Sequence, residues 1–411
     1  MSTPLRRNRD FLLLQAGQLL SATGSQMTTI AYTLLVLGLT HSAAKAGAVG
    51  FARLLPYALF SMPAGALADR LGRKALMIGA DVVRALMLVS LVTAIVADDA
   101  TFEQILVVAF VEGAASAVFV ACQTGALRSV VPARQMPAAV AAITGRNSIV
   151  ITAGPLIGGA LYAVGRAVPF LVDAVSYAAS TVALLLMRTP FQQQRNREPT
   201  RLRADIAEGF RYLWQQPFIR TCALLFGIGN FIYPGILFLI VVVGRSDGLS
   251  SGKIGALTAI FGAGLLVGSM LSTYTRRLFS VRTILLMELW VSMGCAVFLI
   301  WPNVYVLAAS TIPTSLTIPS SDTVVHSFRI AMTPDRLIGR VDSAARNISL
   351  LAAPVGPLLA GFLLESTSER ATVAVFAAAG LGLALWGTLS TAIKNAPSIS
   401  ELDRIDALDP A

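Results

Sequence analysis

The sequence predicts an all-α integral membrane protein of twelve transmembrane helices arranged as two six-helix repeats, and three observations predict it. The first is composition: of 411 residues, 55% are hydrophobic and only 13% are charged, against roughly 25% charged in an ordinary soluble domain. That balance excludes a water-soluble globule. The second is run length, because apolar stretches recur at the ~20 residues a helix needs to cross a hydrocarbon core about 30 Å thick. The third is an internal repeat. Pro132, Arg134, Gly154, Pro155 and Gly159 are matched by Pro334, Arg336, Gly356, Pro357 and Gly361, each pair 202 residues apart. Arg146-Asn147 returns as Arg346-Asn347 at an offset of 200, so a two-residue gap falls between the Pro-Arg and Gly-Pro matches. Parallel repeats of six helices are a transporter architecture.

Spans are expected near 11–38, 47–68, 75–97, 102–124, 137–164, 167–188, 218–243, 253–274, 282–301, 303–325, 338–364 and 371–393. They divide the chain into an N-terminal half (1–188), a linker (189–217), a C-terminal half (218–394) and a tail (395–411). The net charge of +10 resides mainly in the connections rather than on one amphipathic face, which excludes a nucleic-acid partner and makes the charge a topology signal. With the N-terminus inside, 22 basic residues fall in inner segments and 5 in outer ones. The positive-inside rule then puts both termini in the cytoplasm of a multi-pass protein of a bacterial cell membrane. The basic start, before Gln15 and Gln18, reads as a cytoplasmic tail and not a signal peptide. Cys122, Cys222 and Cys295 all lie in apolar runs and read as small buried hydrophobes.

In span one, Gln15, Gln18, Ser25 and Gln26 place polar groups on an apolar helix, and the three glutamines are candidates for lining a substrate cavity. After span two the chain reads Gly65-Ala-Leu-Ala-Asp69-Arg70-Leu-Gly72-Arg73-Lys74. Gly65 is expected to let span two approach a neighbour closely. Asp69, at a helix end, can take charge-assisted hydrogen bonds from basic groups, giving a latch that engages in one conformation and releases in another. Its counterpart, Gly268 to Arg277, keeps the glycine and the basic pair but has no acid, so the latch is expected to be asymmetric.

Ionisable groups inside spans are costly enough to be functional candidates. Asp81 and Arg84 stand three apart on span three and can pair. Glu112, at mid-depth of span four, has no acid-base partner three or four residues away in either direction. Burial disfavours its ionised form unless another span supplies a cation, so it is a proton-coupling candidate, with a permanently protonated structural acid as the alternative. Asp173, followed by Ser176 and Tyr177 in span six, is the second candidate. Glu288 follows Asp81 by 207 residues, while Arg220 and Asp322 lie near inner ends where snorkelling is easy. Arg146 and Arg346, the repeated arginines of spans five and eleven, are cavity candidates.

In span five, Gly154-Pro155-Leu-Ile-Gly158-Gly159 permits tight helix contact, and Pro155 removes a backbone donor and bends the helix. Span eleven repeats Gly-Pro, so plain packing is the competing explanation. In the linker, Ile206, Phe210, Leu213 and Trp214 recur at helical spacing beside Arg203, Asp205, Glu208 and Arg211, which predicts a surface helix at the membrane boundary. Asn230 in span seven follows Gln26 by 204 residues, and Phe231, Tyr233 and Pro234 accompany it. Amides among aromatics suit a broad amphiphilic ligand class, which makes Asn230 and Tyr233 cavity candidates. Helix-helix hydrogen bonding is the alternative for each cavity candidate.

These residues carry a resemblance. The Gly65–Lys74 stretch resembles the cytoplasmic signature of the major facilitator superfamily. The span-five motif resembles the one found in its exporters that exchange substrate for protons, with Val150 where that motif often has another glycine. Gly17-Gln18-Leu-Leu-Ser21, Gly24-Ser25-Gln26, Asp81-Val-Val-Arg84, Asp173-Ala-Val-Ser-Tyr177 and Gly339-Arg340-Val make nearly the whole chain similar to a branch of drug and siderophore exporters. That branch includes the enterobactin exporter and the macrolide efflux pumps. The arginine-containing fourth-span motif of other proton-coupled branches is absent, and Glu112-Gly113 stand in its place. The resemblance implies a monomeric, cofactor-free exporter of small amphiphilic molecules, working by proton antiport with alternating access. An importer or uniporter on the same fold is the alternative. An intramembrane enzyme is remote, because the sequence has no HExxH, no GxSxG and only His41 and His326 as histidines. Gly248-Leu-Ser-Ser-Gly252-Lys253 is one residue short of a phosphate loop and is followed by Ile254, which argues against ATP-driven transport.

Overall fold

A computed structural model describes residues 4–189, 191 and 202–396, excepting the side chains of 62, 66, 69, 70 and 202–205. The expected linker and tail therefore lie partly outside the described residues, as do the side chains of Asp69 and Arg70. The helices are α1 Arg9–Thr40, α2 Ala43–Arg70, α3 Arg73–Val96, α4 Phe102–Val130, α5 Met136–Val164 and α6 Val168–Leu186. They continue with α7 Leu202–Gln215, α8 Pro217–Gly229, α9 Ile232–Ser246, α10 Ser251–Leu278, α11 Val281–Val291 and α12 Val297–Ile300. The last are α13 Val304–Ala309, α14 Thr311–Ala331, α15 Ile338–Ala352, α16 Val355–Ser366, α17 Glu369–Leu389 and α18 Thr391–Lys394.

Polar residues at the ends of the apolar runs set where these helices start. Asn8, Ser42, Thr101, Ser280 and Ser368 each accept a hydrogen bond from a backbone N–H of the first turn, satisfying donors that the helix itself cannot. Several expected spans are built from two pieces. The seventh breaks between α8 and α9 at Asn230-Phe231, and the eleventh between α15 and α16 beside Pro354. Its repeat partner α5 runs unbroken through Pro155. Among the described residues, nine helical stretches are long and apolar enough to cross a membrane by length and composition alone. The remaining long helices, α1, α2 and α14, are those interrupted by glutamines, hydroxyls, Arg53 or Asp322.

The chain divides into two compact units. The first comprises Met1–Arg197 with Phe238–Ala259, and the second Glu198–Leu237 with Ile260–Ala411. In the first, α2 packs along α4, α1 along α5 and α6, and α3 along α4 and α6. One of its cores gathers Phe11, Met77, Phe119, Cys122 and Leu184, and another joins Ile30 and Leu34 to Val241 and Ile254. In the second unit, α15 packs on α7 and α8 around Leu213, Ile219 and Val341, and α11 packs on α14 and α17.

The expected surface helix is α7. It buries Leu213 completely and leaves Trp214 54% exposed. Glu208 pairs with Arg340 of α15, the Tyr212 hydroxyl donates to Met332 O at 2.7 Å, and Gly209 lies against the Arg340 backbone. Helix α7 thus packs on the bundle of its own unit.

At the polar start of α1, Asp10 accepts from the backbone N–H of Arg188 at 3.2 Å, from that of Thr189 at 2.8 Å, and from the Thr189 hydroxyl. Burial pushes this carboxyl up, but the hydrogen bonds from Thr189 and Arg188 outweigh it and hold it below the usual 3.8. A depressed folded value means the stabilisation is full above 3.8 and is lost as pH falls through the depressed value. Asp10→Asn is therefore expected to cost about 1–2 kcal/mol at neutral pH, with the gap closing in acid. Thermal unfolding in detergent across that range checks it, and equal melting at pH 7 would refute it.

Candidate functional site

The first unit contains a cluster of polar side chains drawn from α1, α2, α3, α4 and α6. Helix α1 makes it possible by presenting two different stripes. Gln15 and Gln26 face α5, where Gln15 accepts from Arg146 Nη1 at 2.9 Å and Gln26 lies against Gly154. Ser25, Thr28 and Tyr32 turn toward α2, α4 and α6.

Glu112 is at the centre of this second face and is 3% exposed. The expectation that its own helix offers no partner holds, but α2 supplies one, because Arg53 Nη2 donates to Glu112 Oε1 at 3.0 Å. Tyr32 donates to Oε2 at 2.8 Å and Tyr177 to Oε1 at 3.1 Å. Arg53 also donates to Ser25 O at 2.6 Å, to Thr28 Oγ1 at 3.0 Å and to Thr29 Oγ1 at 2.6 Å. Its guanidinium lies 5.3 Å from the Tyr32 ring centre. Gly113 explains how α2 comes so near, since a Cβ there would strike the backbone carbonyl of Arg53. The condition set for Glu112, a cation supplied by another span, is met by Arg53 of α2, and the Tyr32 and Tyr177 hydroxyls donate to the same carboxyl.

Asp173 on α6 is completely buried and has a different environment. Thr28 donates to Oδ2 at 3.1 Å and Ser176 to Oδ1 at 3.1 Å. Among the described residues, no Lys or Arg approaches it to ion-pair distance, and Arg53 reaches it only through the Thr28 hydroxyl. A Cβ on Gly24 would lie 2.6 Å from Ser176 Oγ and 2.9 Å from Asp173 Cγ, so glycine is what lets α1 seal this carboxyl. Asp81 and Arg84 pair with each other on α3, and the Arg84 guanidinium lies over the rings of Tyr177 at 4.3 Å and Phe119 at 4.8 Å.

The remaining motifs fall around this cluster. Among the described residues, a Cβ at Gly65 would meet nothing within 4 Å, so the close approach expected there is not found among them. Its counterpart Gly268 does approach a neighbour, the backbone of Leu316. Gly72 caps the N-terminus of α3, the Arg73 guanidinium lies over Gly125 of α4, and Lys74 Nζ donates to Met187 O at 2.8 Å, satisfying a carbonyl at the end of α6. In the span-five motif, Gly158 lies against the Met27 backbone of α1, while Gly159 and the Pro155 carbonyl lie against Gly255 of α10. The motif therefore packs α5 on two sides. Gln18 is buried.

In the second unit, Asn230 donates to Ser349 O at 3.1 Å, Tyr233 lies 5.3 Å from the Phe261 ring, and Arg346 donates to Asp342 at 3.3 Å. Arg53, an ionisable residue inside span two, is a functional candidate by sequence alone, though without an assigned partner; Tyr32 and Thr28 were not singled out by sequence reasoning. The signal that could have joined Arg53 to Glu112 is the glycine directly after the span-four acid, which lets α2 come close.

Comparison with known proteins agrees with this architecture. The family model described as Major Facilitator Superfamily matches residues 16–286. Multidrug efflux pump Tap of Mycolicibacterium fortuitum is 26% identical over 407 residues, covering 95% of this chain and 97% of that protein. Macrolide efflux protein A of Streptococcus pyogenes is 24% identical over 365 residues, covering 86% and 89%. Among solved structures, a bacterial homologue of the human lysosomal transporter Spinster, inward-facing and unoccupied, superposes with a TM-score of 0.72 at 16% identity over the full length of both chains. The nucleoside transporter NupG gives 0.70 at 15% identity, covering 94% of this chain and all of that one. At such identities the solved structures bear on the fold alone.

Proposed function

The chain belongs to the major facilitator superfamily and is a multi-pass membrane transporter, not an enzyme, and from that premise we propose that it exports small amphiphilic molecules by proton antiport. The substrate is of the drug, siderophore or secondary-metabolite kind, in keeping with relatives named as efflux pumps. The observation that carries the coupling is Asp173, a carboxyl sealed from solvent and held by two hydroxyls with no cation at ion-pair distance among the described residues. A hydroxyl donates to a carboxylate or accepts from a carboxylic acid with little rearrangement, so the site accommodates both protonation states. Hydration on one side of the membrane favours release of the proton, and sealing favours uptake. Glu112, clamped by Arg53, Tyr32 and Tyr177, holds α2, α4 and α6 in register beside it.

Alternating access then moves the N-terminal half (1–188) and the C-terminal half (218–394), joined by the linker (189–217), with the Gly65–Lys74 latch engaging on the cytoplasmic side. The protein works as a monomer in a bacterial cell membrane with both termini, including the tail (395–411), in the cytoplasm. Cells lacking their own pumps are expected to accumulate less of a panel of amphiphilic compounds when they express this chain, with an uncoupler cancelling the difference. Raised accumulation would mean import, and indifference to the uncoupler would remove the proton. Asp69→Asn is expected to insert normally and to transport poorly, while normal efflux would reduce the motif to a topology determinant. Cysteine labels at Leu202→Cys and Asn395→Cys should react from the cytoplasmic side only, and labelling of either from outside overturns the orientation.

A further inference from the structure

In the second unit a groove of about 580 Å³ runs along α11 and is walled at one side by α17, a volume within the roughly 300–1,000 Å³ of small-molecule sites. Its two ends differ in chemistry. Ser280, Arg282 and Thr283 form one end, at the first turn of α11, and Leu286, Met287 and Trp290 line the rest. From Arg282 to Trp290 is about 12 Å along a helix axis. A Cβ at Gly387 would lie 2.5 Å from Leu289 Cδ1 and 3.6 Å from Leu286 Cδ2, so glycine lets α17 settle onto α11 there. Its neighbour Thr388 lines the groove and accepts from the Trp290 indole Nε1 at 3.1 Å, which ties the ring across the two helices.

What the groove lacks is a negative charge. No Asp or Glu lines it, and Glu288, the one acid of α11, is buried elsewhere on the helix. Arg282 is exposed, and among the described residues no acid forms an ion pair with it. The connection before it adds two more cations, Arg276 and Arg277 at the end of α10. Helix α11 opens a stretch long and apolar enough to cross a membrane, Val281–Ile300. The cationic end is therefore at the membrane boundary and the apolar part at the depth of acyl chains. An unpaired arginine at that level is matched by a phosphate, and the apolar slot beside it by a hydrocarbon tail.

We propose that this groove binds an anionic phospholipid, its phosphate on Arg282 and one acyl chain laid along Leu286, Met287 and the Trp290 ring. The Ser280 and Thr283 hydroxyls hydrogen-bond each other at 2.8 Å, which leaves one of their two protons to donate to a phosphate oxygen. A zwitterionic headgroup would bring an ammonium that finds no acid at the groove, so a lipid with net negative charge is favoured. The cytoplasmic leaflet follows from the orientation proposed above, which puts Arg276, Arg277 and Arg282 on the inner side. The site itself rests on neither export nor proton coupling.

The test uses the purified full-length protein in detergent, titrated with dioleoylphosphatidylglycerol or dioleoylphosphatidylcholine and read by native mass spectrometry. A saturable step that retains phosphatidylglycerol and not phosphatidylcholine is expected. Arg282→Gln should weaken that step roughly fivefold, and Lys253→Gln, which removes a basic residue on another connection, should leave it unchanged. A measurement on the unmodified protein stands beside the variants: phosphatidylglycerol brominated on its acyl chains should quench tryptophan fluorescence more than brominated phosphatidylcholine at the same mole fraction. Trp290→Phe should remove the excess. Equal retention of the two lipids, wild-type retention in a folded Arg282→Gln protein, or an excess quench that survives Trp290→Phe would overturn the site. Displacement of the lipid by inorganic phosphate would reduce it to an anion site with no acyl chain, and a dimer that forms without lipid and abolishes the quench would make a second copy of the chain the occupant. Either result overturns the lipid assignment. Labelling that reverses the orientation would move the lipid to the outer leaflet and contradict the leaflet alone.

Discussion

Asp173→Asn is expected to abolish uphill export while leaving folding and substrate binding near those of the wild type. Asparagine keeps the volume and can still hydrogen-bond Thr28 and Ser176, so the α1–α6 contact sealed by Gly24 has little reason to change. What it removes is the proton-binding step, and with it the free energy that an imposed gradient supplies, about 1.4 kcal/mol for each pH unit. Downhill exchange is expected to persist. Proteoliposomes with an imposed proton gradient separate the two: the variant should equilibrate substrate without concentrating it. Concentration to the wild-type level would remove Asp173 from the mechanism.

Glu112→Gln is expected to damage the fold itself. The change leaves the Arg53 guanidinium, whose side chain is 14% exposed, facing a neutral amide. Breaking a buried ion pair from one side costs about 3–5 kcal/mol, because the remaining charge is uncompensated. Low yield, a depressed melting temperature and lost transport should appear together. Removing both charges, Arg53→Gln with Glu112→Gln, should recover part of the stability, since the penalty lies in the orphaned charge and not in the missing attraction. A Glu112→Gln protein with wild-type melting would show that the pair does not hold α2 to α4. The two acids therefore separate by readout, one through coupling with the fold intact and the other through stability.

Much of this protein is determined by one-dimensional regularities. Run length fixes the spans because the bilayer has a thickness. The Arg bias of the connections argues for the orientation through the positive-inside rule, and the 202-residue offset reports a duplicated unit. None of these requires knowing which helices are neighbours. The motif glycines were legible as packing sites for the same reason, although only the structure shows that Gly158 meets Met27, that Gly159 meets Gly255, and that Gly65 meets nothing among the described residues.

What the tertiary structure alone decided is which charges are matched. Glu112 and Asp173 look alike in sequence, each an acid in an apolar run with no basic residue one turn away. Their difference comes from Arg53, 59 positions before Glu112 in the chain, brought within 3.0 Å because α2 and α4 touch at Gly113. The same holds in the second unit, where Glu288 could be paired with any of the arginines by sequence and is paired with none among the described residues. In a medium that neither solvates nor screens, whether a buried carboxylate is structural or free to exchange a proton depends on the few ångströms around it. Those ångströms are set by helix packing, which hydropathy does not encode.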